Sequence, residues 1–362
     1  MLKLRRAVVR EVKDASAAAA EQQLVIELAG EPAPPRAAIA DLALLGRAEV
    51  GDELIVNVQA LDLGLGSGGF DIVHVNLTRG LRGEGGGEEA NVVKLNYTSL
   101  QHTVEPVEEE QLRLPVSRPV AVLALHGQLA AVAWAFAQAA PGRRLGYVQT
   151  AGGALPAGHS RTAAELRRRA VLACHLSAGA AFGGEGEAIT AIGALHHGLR
   201  RLGWDAAVCG PGPGIVGSSS TLGHGGMYAL DSAHAALALG CPTVLVARMS
   251  SGDDRARHRG ISHHTRTVLE LLLAPVTVAL PAPTDRARPD LELPAAGRAQ
   301  HDWRRAAVDL EGFAESGLAA ETMGRGIDED PLFFEAALAG GAVLAQEAAR
   351  AAADEDDAVA RR

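Results

Sequence analysis

What most constrains this chain is a change of rhythm near residue 119. From there on, short apolar runs alternate with alanine-rich helical stretches, and that alternation is satisfied by a parallel sheet covered by helices on both faces. The predicted strands are Val120–Leu125, Leu145–Thr150, Val171–His175, Ala206–Gly210, Thr243–Arg248 and Val276–Leu280. Helical patterns fall between them at Gln128–Ala139, Thr162–Arg169, Glu187–Leu202, Met227–Leu239 and Thr265–Leu273. The pattern predicts an α/β unit with a Rossmann-like, doubly wound, mainly parallel sheet, whose strand order spacing alone does not reveal.

The preceding residues read differently. Short β-type runs at Ala7–Val12, Leu24–Leu28, Glu53–Val58, Asp71–Asn76 and Val92–Tyr97 are punctuated by Gly, Pro and Asp, which predicts a small antiparallel β-barrel or sandwich. The charged stretch from Glu105 to Glu110, followed by Pro115 and Pro119, has linker composition. The expected organisation is a β-rich domain over 1–105, a linker over 106–118, the α/β domain over 119–285, and a helical C-terminal segment over 286–362. That last segment is expected to end in a frayed tail that includes Asp354–Asp357. A length of 362 residues suits two or three units.

Composition narrows the function classes. Hydrophobic residues make up 48% but aromatics only 3%, so the cores must be built from small aliphatic side chains. A net charge of −9 argues against a nucleic acid or an anionic membrane surface as partner. No run of about 18 uncharged apolar residues occurs, and Met1–Arg6 leads into a strand-like run rather than a signal-peptide core, so the expectation is a cytoplasmic protein. Cys174, Cys209 and Cys241 show no C-x-x-C spacing and read as reduced thiols. Homodimerisation is compatible with such a chain. The excess of Arg over Lys matches a GC-rich coding background, so single arginines carry little weight.

In open parallel sheets ligands bind beyond the carboxyl ends of the strands, where loops meet helix N-termini. Glycine and polar residues gather at these ends here. After the second predicted strand come Gly152 and Gly153, and then His159-Ser160-Arg161. After the fourth comes Gly212-Pro213-Gly214-Ile215-Val216-Gly217 followed by Ser218, Ser219, Ser220 and Thr221. That glycine run matches G-x-G-x-x-G, but the acidic residue expected after the next strand is replaced by Arg248, which argues against NAD. The same pattern at Gly64–Gly69 lies between two β-type runs and reads as a hairpin loop. The sequence leaves the cofactor unidentified.

The reading that follows is a cradle for a small anion, phosphorylated or nucleotide-like, made by Gly212, Gly214, Gly217, Ser218 and Ser219 beside Gly152 and Gly153. Arg248 and Arg259 are its charge partners, and His126, His224 and His263 are the candidate acid/base groups. A metal-dependent hydrolase is the alternative. Its densest ligand group would be Asp253, Asp254, His258, His263 and His264, although no H-E-x-x-H spacing occurs. A third reading is a non-catalytic scaffold assembled through the N-terminal domain. There is no G-x-S-x-G elbow, and Cys209 reads as a small buried hydrophobe.

Several of these segments together resemble an uncharacterised bacterial family known as a domain of unknown function. They are Ala60–Gly69, Gly152–Pro156, Gly212–Gly217, Arg257–Thr265, and Thr322–Gly326 with Asp328-Glu329-Asp330. The resemblance spans nearly the whole chain and implies no activity, substrate or catalytic residue. It draws notice to Arg325, which either lies in a helix–loop–helix joint, with Asp328 or Asp330 capping the following helix, or reaches back over the sheet edge.

Overall fold

The computed structural model describes residues 1–13, 20–30, 34–65, 68–80, 90–109, 111–283 and 297–361. Near the N-terminus, β1 (Leu4–Lys13), β2 (Glu21–Leu28), β3 (Arg36–Asp41), β4 (Glu53–Asn57) and β5 (Asp71–Asn76) close into a barrel in the order β1-β2-β3-β5-β4. Two single-turn helices, α1 (Leu42–Leu45) and α2 (Gln59–Asp62), occupy its connections. The two-residue period of the strands turns Val9, Leu24, Ile26, Leu54 and Val56 inward, where each is at most 1% exposed. β3 escapes sequence reading because Ala37, Ala38 and Ala40 carry little β propensity. Small residues suit the interior of a five-stranded barrel, and Ala38 and Ala40 are buried there. Gly64 and Leu65 belong to the turn after α2, between β4 and β5, while Gly66 and Ser67 lie outside the described residues.

The Val92–Tyr97 run does not join the barrel. Only β6 (Val92–Lys94) is a strand, and it pairs with β7 (His102–Val104) in a separate hairpin. That hairpin is fastened to the α/β part, with Lys94 Nζ donating to the Ala181 carbonyl at 2.7 Å and meeting Glu187 at 2.6 Å.

The chain then lays down β8 (Val120–Leu123), β9 (Leu145–Thr150), β10 (Cys174–Ala178), β11 (Gly186–Ala188), β12 (Ala206–Pro211), β13 (Thr243–Val246), the short antiparallel pair β14 (Met249–Ser250) and β15 (Gly260–Ile261), then β16 (Thr277–Pro281) and β17 (Asp302–Ala306). All but β14 and β15 form one parallel sheet in the order β11-β10-β9-β12-β8-β13-β16-β17. Its helices are α3 (Leu129–Ala139), α4 (Arg161–Arg168), α5 (Ala191–Arg200), α6 (Tyr228–Ala238), α7 (His263–Leu271), α8 (Leu310–Glu315) and α9 (Pro331–Ala360). Within β8, Val120 and Val122 pack toward α5, α6 and α7, whereas Ala121 and Leu123 pack toward α3, α4 and α9. The chain is thus a doubly wound α/β protein with an N-terminal barrel.

Several boundaries differ from the sequence reading. The third predicted strand, Val171–His175, slides to β10 because Val171 and Leu172 are spent ending α4: both amides bond to the Leu166 carbonyl. Glu187 sits in edge strand β11 rather than in a helix, and α5 starts at Ala191 with the Thr190 hydroxyl accepting from the Gly193 amide. β17, read as Asp-Trp-Arg-Arg-Ala, is too polar to announce itself as a strand. The C-terminal segment is integral to the core: Phe333 and Phe334 of α9 are fully buried against α3. Asp354–Asp357 form exposed late turns of α9. By length and composition α9 is the one helix among the described residues able to cross a membrane, yet 78% of its most apolar stretch is buried inside the fold. The expected joint before α9 is instead a hairpin, β18 (Glu321–Thr322) with β19 (Arg325–Gly326), turning through Met323 and Gly324 at φ 50° and 73°.

Candidate functional site

The carboxyl edge of the sheet holds two polar clusters. The first forms beyond β12 and β13. Arg248 follows β13 and is 2% exposed despite its charge. Its Nη1 lies 2.9 Å from His264 Nδ1, its Nη2 lies 3.6 Å from Asp253, and its Nε is buried with no hydrogen-bond partner. Burial drives this guanidinium down to about 10. His263 and His264 are the first residues of α7, and the Ser262 hydroxyl before them accepts from the His264 amide at 3.3 Å.

His224 arrives from the loop after β12 and stacks on His264 with ring centroids 3.6 Å apart. Its Nε2 donates to the Thr221 carbonyl at 3.0 Å, which leaves Nδ1 as the lone-pair nitrogen, and that atom is buried without a partner. His263 Nε2 is likewise buried and unpartnered. One nitrogen from each of His224, His263 and His264 lies within 4.8 Å of the others. A Cβ on Gly226 would stand 3.0 Å from His224 Nδ1 and 3.1 Å from His264 Nδ1, so this glycine keeps the space beside them open. His258 completes the group, with its ring centroid 4.8 Å from His263 and its Nδ1 2.8 Å from Ser262 Oγ. Burial, reinforced by Arg248, lowers His264 to about 2 and His258 to about 3. Burial lowers His224 and His263 too. At neutral pH all four imidazoles are therefore neutral, the form that ligates metals.

The acidic residues proposed as ligands lie elsewhere in this network. Asp253 is gripped by Arg255 at 2.8 Å, faces Arg325 at 3.4 Å, and is held below the usual carboxylate range chiefly by the Arg255 hydrogen bond. Asp254 is exposed. Arg259 is exposed and donates from Nε to the Asp253 carbonyl at 2.9 Å. Arg325 does reach over the edge, where it also meets Asp330 at 3.3 Å. Asp330, immediately before α9, uses its carboxylate to accept from the Ser250 hydroxyl at 2.6 Å and the Ser251 amide at 2.8 Å, pinning the loop after β14.

The glycine loop 212–226 borders this cluster. Gly153 is needed for close packing, since a Cβ there would lie 2.3 Å from the Gly212 carbonyl oxygen. Gly152 makes the same kind of approach to Gly225, and Gly217 bridges to His224. Ser218 Oγ bonds to Ser220 Oγ and donates to the Gly223 carbonyl, each at 2.9 Å, and the Ser218 amide bonds to the same carbonyl. The Ser218 groups that a cradle would offer an anion are thus engaged within the loop. Gly214 and Ser219 are not part of the histidine cluster, although the Ser219 carbonyl accepts from Arg257 at 3.3 Å.

The second cluster lies beyond β8 and β9. His126 opens the single turn after β8, and its Nε2 is 2.9 Å from Ser160 Oγ, the N-cap of α4. Its Nδ1 is 3.3 Å from Tyr147 Oη, which donates to the Pro211 carbonyl at 3.0 Å. His175 stacks on Tyr147 at 4.8 Å, and its Nε2 is 3.1 Å from Gln149 Oε1. Burial lowers His126 to about 4 and His175 to about 3. Cys209, on β12, is fully buried and pushed up to about 11 by that burial, so it offers no nucleophile.

Of the three candidate acid/base histidines, the structure joins His224 and His263 and places His126 in the other cluster. The sequence reading has His224 and His263 as acid/base candidates but leaves His224 out of the densest metal group, names Ser160 only within the edge segment His159-Ser160-Arg161, and does not single out Tyr147. A histidine right after a glycine loop was the available signal for His224. Ser160 carries no signal beyond that of an ordinary helix cap.

Fold and edge together define a doubly wound α/β protein with an N-terminal barrel and a histidine–arginine cluster at the carboxyl ends of its central strands. The chain belongs to the family described as "Protein of unknown function (DUF3866)", whose model matches residues 37–341. No curated protein and no solved structure matches it.

Proposed function

We propose that the chain is a metal-dependent enzyme, a hydrolase of small anionic substrates, that holds a divalent transition metal on His224, His263 and His264. One observation carries this reading: nitrogens of three neutral imidazoles lie within 4.8 Å of one another, with His224 Nδ1 and His263 Nε2 buried and unpartnered, while His264 Nδ1 accepts from Arg248 Nη1, a bond that a metal would replace. Buried polar atoms are nearly always satisfied, so unpartnered nitrogens within such a cluster call for an added atom. An all-imidazole set suits zinc, copper, nickel or iron rather than calcium or magnesium, and three protein ligands leave a position for water or substrate. When bound, the metal would polarise substrate oxygen and lower the pKa of its water.

The surroundings support a negatively charged substrate. Arg248, Arg255 and Arg325 all converge on Asp253, the exposed Arg259 donates to its backbone carbonyl, and the exposed Arg257 reaches His258. Arg248 Nε, a buried donor without an acceptor, supplies the contact for a phosphate or carboxylate oxygen. The chain's net charge of −9 supports a small molecule rather than a nucleic acid or an anionic membrane as partner, and a cytoplasmic setting fits the reduced thiols.

The test is elemental analysis of purified protein, followed by chelation and titration of the stripped protein with Zn²⁺ and with inorganic phosphate. About one equivalent of metal, with phosphate binding that Arg248→Gln weakens by about 10-fold or more, supports the reading. Protein that takes up no metal yet binds phosphate would reduce the site to simple anion binding, and protein that binds neither would leave a scaffold.

A further inference from the structure

We infer that Ser160 and His126 form a second, metal-independent centre: a serine nucleophile and its general base, set for acyl transfer from a small ester. The inference rests on hydrogen-bond direction. The Tyr147 hydroxyl faces two carbonyls, Pro211 at 3.0 Å and Gly210 at 3.3 Å, which can only accept its proton, so at 3.3 Å the Tyr147 oxygen accepts from His126 Nδ1–H. His126 Nε2 is then the lone-pair nitrogen, and at 2.9 Å it takes the proton of Ser160 Oγ. A base with its far nitrogen held as N–H and its near nitrogen facing a hydroxyl is the arrangement that activates serine, reached here with a tyrosine–carbonyl pair in place of a carboxylate.

Two further observations concern the surroundings of Ser160. Ser160 Oγ also accepts from the Ala163 amide at 3.1 Å, so the alkoxide that forms on proton loss is met by an N–H at the positive end of α4. Ser160, though not His126, also lines a cavity of about 380 Å³, whose other walls include Ala20, Ala157, Ala164, Arg167, Arg168 and Glu185. That volume lies within the range of small-ligand sites, and the alanines offer an apolar surface for a short acyl chain beside the charged Arg167, Arg168 and Glu185.

The step balances as follows. Ser160 Oγ attacks the ester carbonyl carbon while its proton passes to His126 Nε2. The bond to the leaving alkoxide breaks, and that oxygen departs as the alcohol with the proton from Nε2. Water then attacks the acyl-serine, giving one proton to Nε2, and Ser160 leaves with that proton as the carboxylic acid is released.

The full chain is treated with a fluorophosphonate probe, the labelled residue is mapped by mass spectrometry, and the rate of p-nitrophenyl acetate hydrolysis is followed with and without chelator. The expected result is phosphonylation at Ser160 that chelation leaves unchanged and that His126→Gln slows by at least about 100-fold. Ser160→Asp retains an N-cap acceptor and is expected to fold, checked by circular dichroism, while losing the label. Absence of label on Ser160 in the wild-type chain, or labelling as fast in folded His126→Gln, overturns the proposal. A chelator-sensitive hydrolysis without Ser160 labelling assigns the activity to the histidine cluster instead.

Discussion

The two clusters on the sheet edge differ in how complete their hydrogen bonding is. Around His126 every polar atom named has a partner, and the network ends on the Pro211 carbonyl. Around His224 and His263, two ring nitrogens and the Arg248 Nε have none. A complete network of neutral groups can act with what the chain itself supplies, whereas an incomplete one between buried imidazoles awaits an ion or an anion. The same residue type therefore serves two chemistries, and the difference is set by what faces each ring rather than by the ring.

The sharpest way to break this comparison is to remove ligands from the incomplete cluster. His263→Ala combined with His264→Ala is expected to lower Zn²⁺ affinity by more than about 100-fold in a competition titration with a chromogenic chelator. His126→Gln is expected to leave that affinity unchanged. Equal losses from both variants would erase the distinction.

A second test uses pH on the complete cluster. His126 and His175 are held neutral by burial at about 4 and about 3, against about 6.5 in the unfolded chain. The groups facing them are Tyr147, Ser160, Glu185 and Arg167. The unfolded chain binds protons that the folded chain refuses, so the stability present above pH 6.5 declines as pH falls through that value toward 4 and 3. Urea midpoints are expected to fall between pH 7 and 5, with a loss on the order of a few kcal/mol. His126→Gln should flatten that slope, and a slope unchanged in the variant would show that His126 is not buried neutral.

The smallest effect is expected from Gly226→Ala. The added methyl group would stand 3.0 Å from His224 Nδ1 and should weaken metal binding by about 10-fold without changing the unfolding free energy by more than about 1 kcal/mol. Calorimetric titration and urea unfolding of the same sample separate the two quantities.

How much of this was legible in the sequence depends on the range of the information. The alternation after residue 119 is local, and it announced the parallel sheet. Elements whose identity comes from their neighbours were missed: β3 because its alanines fit a narrow barrel, and β17 because an edge strand tolerates Arg304 and Arg305. The site shows the same division. The run His258–His264 was visible as a dense group, yet its third partner, His224, comes from a different loop, and Asp253 is withdrawn by Arg255 and Arg325. Ser218 and Ser220 looked available in the sequence because nothing local shows that their hydroxyls bond to each other.

The central claim is that His224, His263 and His264 bind a transition metal. Anomalous diffraction at the zinc edge from crystals of the zinc-loaded chain tests it most directly. The account predicts one strong anomalous peak within about 2.0–2.1 Å of a nitrogen from each of the three histidines. Crystals that show no peak between these rings after loading, or place it on other residues, would contradict it.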